Sequence, residues 1–249
     1  MAGSSIPPGR ATPKASSTRL PDVKRRALLK GAAALLLVRD ALAQGRLEKG
    51  VYRLQGDVQV NGAPAQRGAE LRPGDTVRTQ AGAEIVWVVQ RDAFLVRQNT
   101  EVSYLANGLR IVTGAVLSVF ASGERKEIRT PTANIGIRGT GIYIEVDPSR
   151  TYACTCYGET VLAPASDPAA AETVRTSHHE APRYIMPAGS PQMVMAAPVL
   201  NHTDAELILL ESLVGRQPPF IGTGVRLAPS HSSFSPARDI VPSTPRRTA

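Results

Sequence analysis

The sequence predicts an all-β protein: a sandwich or roll of short strands with one amphipathic helix near the C-terminus. Three observations carry this. Between Gly50 and Val161, short apolar stretches follow one another with turn signals between them and no helical period. The 21 glycines and 20 prolines favour frequent turns over long helices. The one stretch of clear helical spacing comes late, after Thr203. Hydrophobic residues make up 42% of the chain, enough for a core, but aromatics only 4%, so that core is aliphatic.

The elements follow in order. In "DVQVNG" Val58 and Val60 alternate with polar residues. "AEIVWVVQ" is a nearly continuous apolar run holding Trp87, as expected of a strand buried on both faces. "AFLVRQ", "LRIVTG", "AVLSVFA" and "KEIRTPT" come next, separated by turn signals at Asn107-Gly108, Gly114 and Ser122-Gly123. Ala163 to Ala171 reads as a loop, and "VRTSHHE" and "PRYIMPAG" as further short strands. Thr203 and Glu206 have capping-box spacing, and Leu207, Leu210 and Val214 then form an apolar stripe that ends at Gly215. The stripe must bury, either on the chain's own sheet or in a partner's groove. The expected organisation is a leader over 1–43, a β domain over 50–161, an extension with short strands and a docking helix over 172–216, and a disordered tail over 217–249.

The leader is read from "VKRRALLKGAAALLLVRDALAQ". Lys24, Arg25 and Arg26 form a basic region, Gly31 to Val38 is apolar, and Ala41-Leu42-Ala43 has the A-x-A form of a cleavage site. Eight apolar residues are too few to cross a bilayer, which takes about 20. The Arg25-Arg26 pair with a weak, Ala-rich core resembles a twin-arginine export signal. Cleavage near Ala43 and a soluble, periplasmic mature chain without a membrane span are the expectation. The formal charge of +8 is misleading in this light. Residues 1–43 hold eight Lys/Arg and two Asp/Glu, so 21 basic and 19 acidic residues remain, a net of +2. Nucleic acid is therefore not an expected partner.

No catalytic residue is assigned. The chain has no H-E-x-x-H, no G-x-S-x-G and no phosphate loop, and Gly139-Thr140-Gly141 is a lone G-x-G with no helix after it. The most distinctive stretch is "TPTANIGIRGTGIYIEV", Thr130 to Val146, whose glycines precede an alternating strand of Ile142, Ile144 and Val146. Upstream, Gly56, Val58, Gly62, Gly68, Leu71, Gly74, Asp75, Val77 and Thr79 add a pattern of turns. Together with Thr130, Pro131, Arg138, Gly139 and Thr140, this resembles the FecR family of periplasmic sensor domains, over roughly Val51 to Val146. The resemblance implies an all-β domain that binds a partner or envelope ligand without catalysis, in sensing or scaffolding linked to iron or envelope signalling, with a periplasmic or envelope protein as partner. Arg138, Thr140 and Tyr143 are the candidate contact residues. Arg138 has a structural reading beside it, a guanidinium tied to loop carbonyls or a carboxylate. Family regulators carry an anti-sigma segment and a membrane helix before this domain. A cleavable leader stands there in this chain, so direct sigma-factor control is not expected.

The only cysteines are Cys154 and Cys156, in "RTYACTCYGETV". Asp147-Pro148-Ser149-Arg150 is a turn signal that folds Gly141–Val146 against Thr151–Tyr157. An even loop places Tyr143 opposite Cys154, Ile144 opposite Ala153 and Glu145 opposite Tyr152, with both cysteines on the face away from the isoleucines. Positions i and i+2 of a strand lie about 6.6 Å apart. A disulfide wants its Cβ atoms about 3.5–4.5 Å apart, so C-x-C on a strand cannot close on itself. Three readings stay open: buried packing, a metal or cofactor site, and a redox pair or intermolecular disulfide. For a metal site, His178 and His179 are the candidate co-ligands, and zinc, copper or iron the candidate ions.

Overall fold

The computed structural model describes residues 49–223. The expected leader lies outside the described residues, as does all but the first part of the expected tail. Among the described residues the chain is all-β apart from one 3-10 turn at Pro168–Ala170 and one helix, α1 (Asp204–Leu213).

Two layers form, and three long strands belong to both. One layer runs, in spatial order, β1 (Gly50–Gln55), β5 (Glu84–Val89), β6 (Asp92–Val96), the second half of β8 (Gly108–Val119), β10 (Ala133–Asp147), β11 (Arg150–Pro164), β13 (Arg183–Ile185) and β14 (Val194–Ala196). The other runs β3 (Ala63–Pro64), β2 (Val58–Val60), β4 (Thr76–Thr79), β7 (Glu101–Leu105), the first half of β8, β9 (Lys126–Arg129), then the outer halves of β10 and β11, and β12 (Glu172–Thr176). All pairings are antiparallel except β8–β9. "LRIVTG" and "AVLSVFA", two strands by sequence, are therefore one strand that bends at Gly114.

Alternation sorts the apolar residues into two clusters. Ile85 and Trp87 of β5, Phe94 and Val96 of β6, and Ile142 and Ile144 of β10 point between the layers, where they meet Val77 and Val102 of the opposite layer. Val86 and Val88, Ala93 and Leu95, and Tyr143, Cys154 and Cys156 point the other way. That second face is covered by Leu207, Leu210, Leu213 and Val214 of the helical segment. A strand buried on both faces needs an unbroken apolar run, which is what "EIVWVV" supplies. The helix docks on the chain's own sheet. Both halves of its capping box form: Thr203 Oγ1 accepts from the Glu206 amide, and Glu206 accepts from the Thr203 amide.

The predicted break between a β domain ending at 161 and an extension starting at 172 is absent. β11 runs on to Pro164 and pairs with both β12 and β13, so the later strands complete the same sheets. The first residues of the predicted tail are structured. Pro218–Ile221 makes a turn and Phe220 is buried against the ring of Tyr157.

β10 and β11 cross from one layer to the other where both strands kink. Gly139 and Gly158 have φ of +59° and +93° there, in the left-handed region. A Cβ on Gly158 would stand 2.5 Å from the Gly139 carbonyl oxygen, which as backbone cannot yield. Gly158→Ala is expected to destabilise the fold by about 2–3 kcal/mol, from crowding and strain together. Gly62→Ala meets nothing within 4 Å, so only about 1–2 kcal/mol of backbone strain is expected there. Urea unfolding midpoints of the two variants check the difference.

Candidate metal centre

The turn between β10 and β11 is a two-residue loop, and the observed register places Tyr143 opposite Cys154, Ile144 opposite Ala153 and Glu145 opposite Tyr152. Asp147 fixes the turn by accepting from the amides of Ser149 and Arg150. One feature is not visible in the sequence. Gly141 pairs with Tyr157 but Ile142 pairs with Thr155, so Cys156 is the extra residue of a β-bulge. The bulge keeps Cys154, Cys156 and Tyr157 all on the helix-covered face. Both cysteines are fully buried and free. Neither can reach a second chain, which removes the intermolecular disulfide reading.

The strand brings two thiols and two loops bring imidazoles. After β12 the chain bends at Ser177–Glu180. Burial pushes the Glu180 carboxylate up, but it accepts from the Ser177 hydroxyl and from the amides of Ser177 and His178, and these bonds hold it down to about 2. His179 takes φ of +60°, rare for a residue with a side chain, and its amide donates to the Cys156 carbonyl. This turns the ring inward, with Nδ1 3.4 Å from Cys154 Sγ. The second imidazole is His202, just before the helix N-cap Thr203. Its Nε2 lies 3.0 Å from His179 Nδ1. The donor atoms of Cys154, Cys156, His179 and His202 all lie within 4.8 Å of one another, and all four residues are buried.

Each ring is oriented by its other nitrogen. His202 Nδ1 lies 2.5 Å from the Leu200 carbonyl, which can only accept, so Nδ1 carries the proton. His179 Nε2 lies 3.0 Å from an Asp204 carboxylate oxygen and donates to it. The orienting bonds thus aim the remaining nitrogen of each ring, His179 Nδ1 and His202 Nε2, at one point. Metal-ligating histidines are held in this way. Lone pairs 3.0 Å apart repel unless a proton or a cation lies between them. Without a metal, protons fill that role. The Cys156 S–H hydrogen bond, then His179 and His202, hold the Cys154 thiol well below its ordinary value, while burial pushes Cys156 well above. Burial opposes charge on His179, but its bonds to Cys154 and Asp204 raise it. With metal–sulfur bonds of about 2.3 Å and metal–nitrogen bonds of about 2.0–2.1 Å, tetrahedral geometry spaces nitrogens about 3.4 Å apart and sulfur from nitrogen about 3.6 Å. The observed 3.0 and 3.4 Å are close to that before any ion draws the donors into place.

His178, predicted as a co-ligand, faces away from the sulfurs. Its Nε2 lies 3.0 Å from both carboxylate oxygens of Asp204, and its ring lies against Phe220. The candidate contact residues do not converge either. Thr140 is buried and donates to the Glu159 carbonyl. Tyr143 is buried, donates to Glu145 and stacks on His202 at 4.7 Å. Neither can touch an external ligand. Arg138 is 58% exposed and pairs with Glu159 at 3.3 Å. Sequence reasoning missed His202, Asp204 and the bulge at Cys156. The available signal was that the chain has four histidines, and His202 directly precedes a capping box.

A second set of contacts pins the helix near the centre. Arg97 bridges Glu84 and Glu206 and also donates to the Asn201 carbonyl. Tyr152 donates to the Pro198 carbonyl and accepts from the Leu200 amide. At the far end, Tyr157 donates to buried Glu211, whose other oxygen accepts from Arg216 Nε at 2.6 Å.

No protein-family model and no curated protein sequence matches the chain, so the likeness to the FecR family remains one of motifs. Among solved structures, it is similar to two crystal structures of a "putative anti-sigma factor" from Parabacteroides distasonis, at 7% identity and a TM-score of 0.40 for each. The match covers 49% of this chain and 58% of that one. A likeness of this degree assigns neither family nor function. Among the described residues, no helix is long and apolar enough to cross a membrane.

Arg216→Ala leaves the buried Glu211 carboxylate with Tyr157 as its remaining side-chain partner. It is expected to lower stability by about 3 kcal/mol, because the orphaned charge stays buried. Adding Glu211→Gln removes that charge and is expected to recover part of the loss, a non-additivity that denaturant unfolding of the two single variants and the double variant measures.

Proposed function

We propose that this protein holds one divalent cation, zinc in the first place, through Cys154, Cys156, His179 and His202, and that the ion fastens the C-terminal segment to the β-sandwich. The observation that carries this is that His179 Nδ1 and His202 Nε2, each ring held by a bond from its other nitrogen, face each other at 3.0 Å beside two buried thiols. Two sulfurs and two imidazole nitrogens suit zinc, or other ions of comparable softness. Four protein donors leave no coordination position open to a substrate, which favours a structural ion over a catalytic one.

The remaining function is recognition. The FecR-like motif supports a domain that binds a partner or ligand, and the twin-arginine reading of the leader supports work in the periplasm. The two readings fit together physically. A chain exported after folding takes up its ion in a reducing compartment, before its thiols meet an oxidising one.

Purified protein is expected to contain about one zinc per chain, with an X-ray absorption shell of two sulfurs at about 2.3 Å and two nitrogens at about 2.0 Å. Cys154→Ser and His202→Ala should each lose the metal, while His178→Ala retains it. Stripping the ion should lower the melting temperature, since a ligand bound only by the native state stabilises it by about 4 kcal/mol at a thousandfold excess over Kd. Metal-free protein with two titratable thiols, and no zinc uptake after reduction, would overturn the proposal.

A further inference from the structure

Gly136 lies in the middle of β10, paired with Glu127 on one side and Val161 on the other. A glycine inside a strand weakens it, and usually marks a bulge or a close approach by backbone or ligand. Neither structural reason applies here. The register through Asn134, Ile135, Gly136 and Ile137 is regular on both flanks, and the φ of Gly136 is outside the left-handed region. A Cβ built there would meet only Val161 Cβ, at 3.7 Å, an ordinary contact. Gly136 instead lines a hollow of about 400 Å³ on the outer face of β9, β10 and β11. That is the size of a small-molecule site.

The walls of the hollow define its chemistry. Arg125 and Arg138 stand at its rim, and Asn107 and Asn134 line it with carboxamides that make no side-chain hydrogen bond among the described residues. Arg125 makes no ion pair there. Glu127 and Lys126 also line the hollow but are engaged, Glu127 by Arg129 and Lys126 by Asp92 and Glu124, while nearby Glu159 is held by Arg138 and Arg175. The floor beside Gly136 is Val161 and Ala163. Guanidinium groups recognise carboxylate and phosphate oxygens with paired hydrogen bonds, and the amides add donors and acceptors for neighbouring hydroxyls.

We propose that this hollow over Gly136 binds a small anion bearing carboxylate or phosphate groups. It is separate from the metal centre, which lies on the opposite face of β11. Citrate and inorganic phosphate, titrated into isotope-labelled full-length protein at low salt, distinguish the two sources of charge. At least one is expected to give saturable amide shifts confined to Asn107, Asn134, Gly136, Arg138 and Val161. Arg125→Ala and Arg138→Ala should each weaken that binding about tenfold. Gly136→Val projects three carbons into the hollow and should weaken it at least tenfold, with a thermal midpoint equal to or above that of the parent. Absence of saturable shifts with both probes would overturn the proposal. So would binding that survives Gly136→Val, equal shifts with glucose, or a Gly136→Val protein that fails to fold.

Discussion

Between Asp147 and Arg150 the chain reverses on two residues, and that short turn sets the register of the two longest strands. Because side chains alternate with a period of two, the register decides which residues face the inter-layer core and which face the helix. Ile142, Ile144 and Val146 go to the core, while Tyr143 and Cys154 go to the other face. A slip of one residue would bury Thr155 where Cys154 now lies and turn both thiols into the aliphatic core. The carboxylate of Asp147, satisfied by two amides of its own turn, is thus remote from the centre yet decides whether the centre exists.

The same pairing is interrupted twice, and each interruption has a use. At Gly139 and Gly158 the ribbon kinks and passes from one layer to the other, which lets two strands serve both sheets. At Cys156 the added residue turns the second thiol and Tyr157 to the face that α1 covers. Sulfur and phenol from adjacent positions then meet different partners: Cys156 lies beside Cys154, His179 and His202, and Tyr157 binds the buried carboxylate of Glu211. Burial pushes the Tyr157 hydroxyl far up, so it stays a donor.

Much of the architecture was legible because it rests on local rules. The apolar run at Glu84–Val89, the Asp147–Arg150 turn and the Thr203–Glu206 capping box each declare themselves within a few residues, and each forms as read. Packing of the helix on the chain's own sheet follows from Leu207, Leu210 and Val214. The centre was legible only in part. The cysteines and His179 were identifiable by type and rough distance, but a choice between adjacent histidines depends on a backbone angle, and His179 sits in a conformation that few non-glycine residues adopt. His202 follows His179 by 23 positions, with two strands between, so only tertiary structure brings them together. The bulge at Cys156 and the single bent strand Gly108–Val119 likewise depend on pairing partners, which short-range patterns do not encode.

The proposal of an ion, and not a disulfide, as the fastening follows from the same geometry. Helix α1 has ten residues, too few to be stable alone, so it exists by virtue of what it is docked to. Its apolar stripe supplies adhesion but little directional constraint. Arg97 holds the start and Arg216 the far end, each through carboxylates on the helix. The chain's two thiols cannot supply a covalent bond between helix and sheet, since both lie on one strand. An ion bound to that strand can do so, because His202 stands two residues before the helix and Asp204 is the first residue in it. Asp204 carries the coupling further: its carboxylate accepts from His179, a proposed ligand, while its backbone opens the helix. Any shift of the first turn therefore moves that imidazole's orienting partner, and an ion held there would tie the loop from which the helix starts to the sheet.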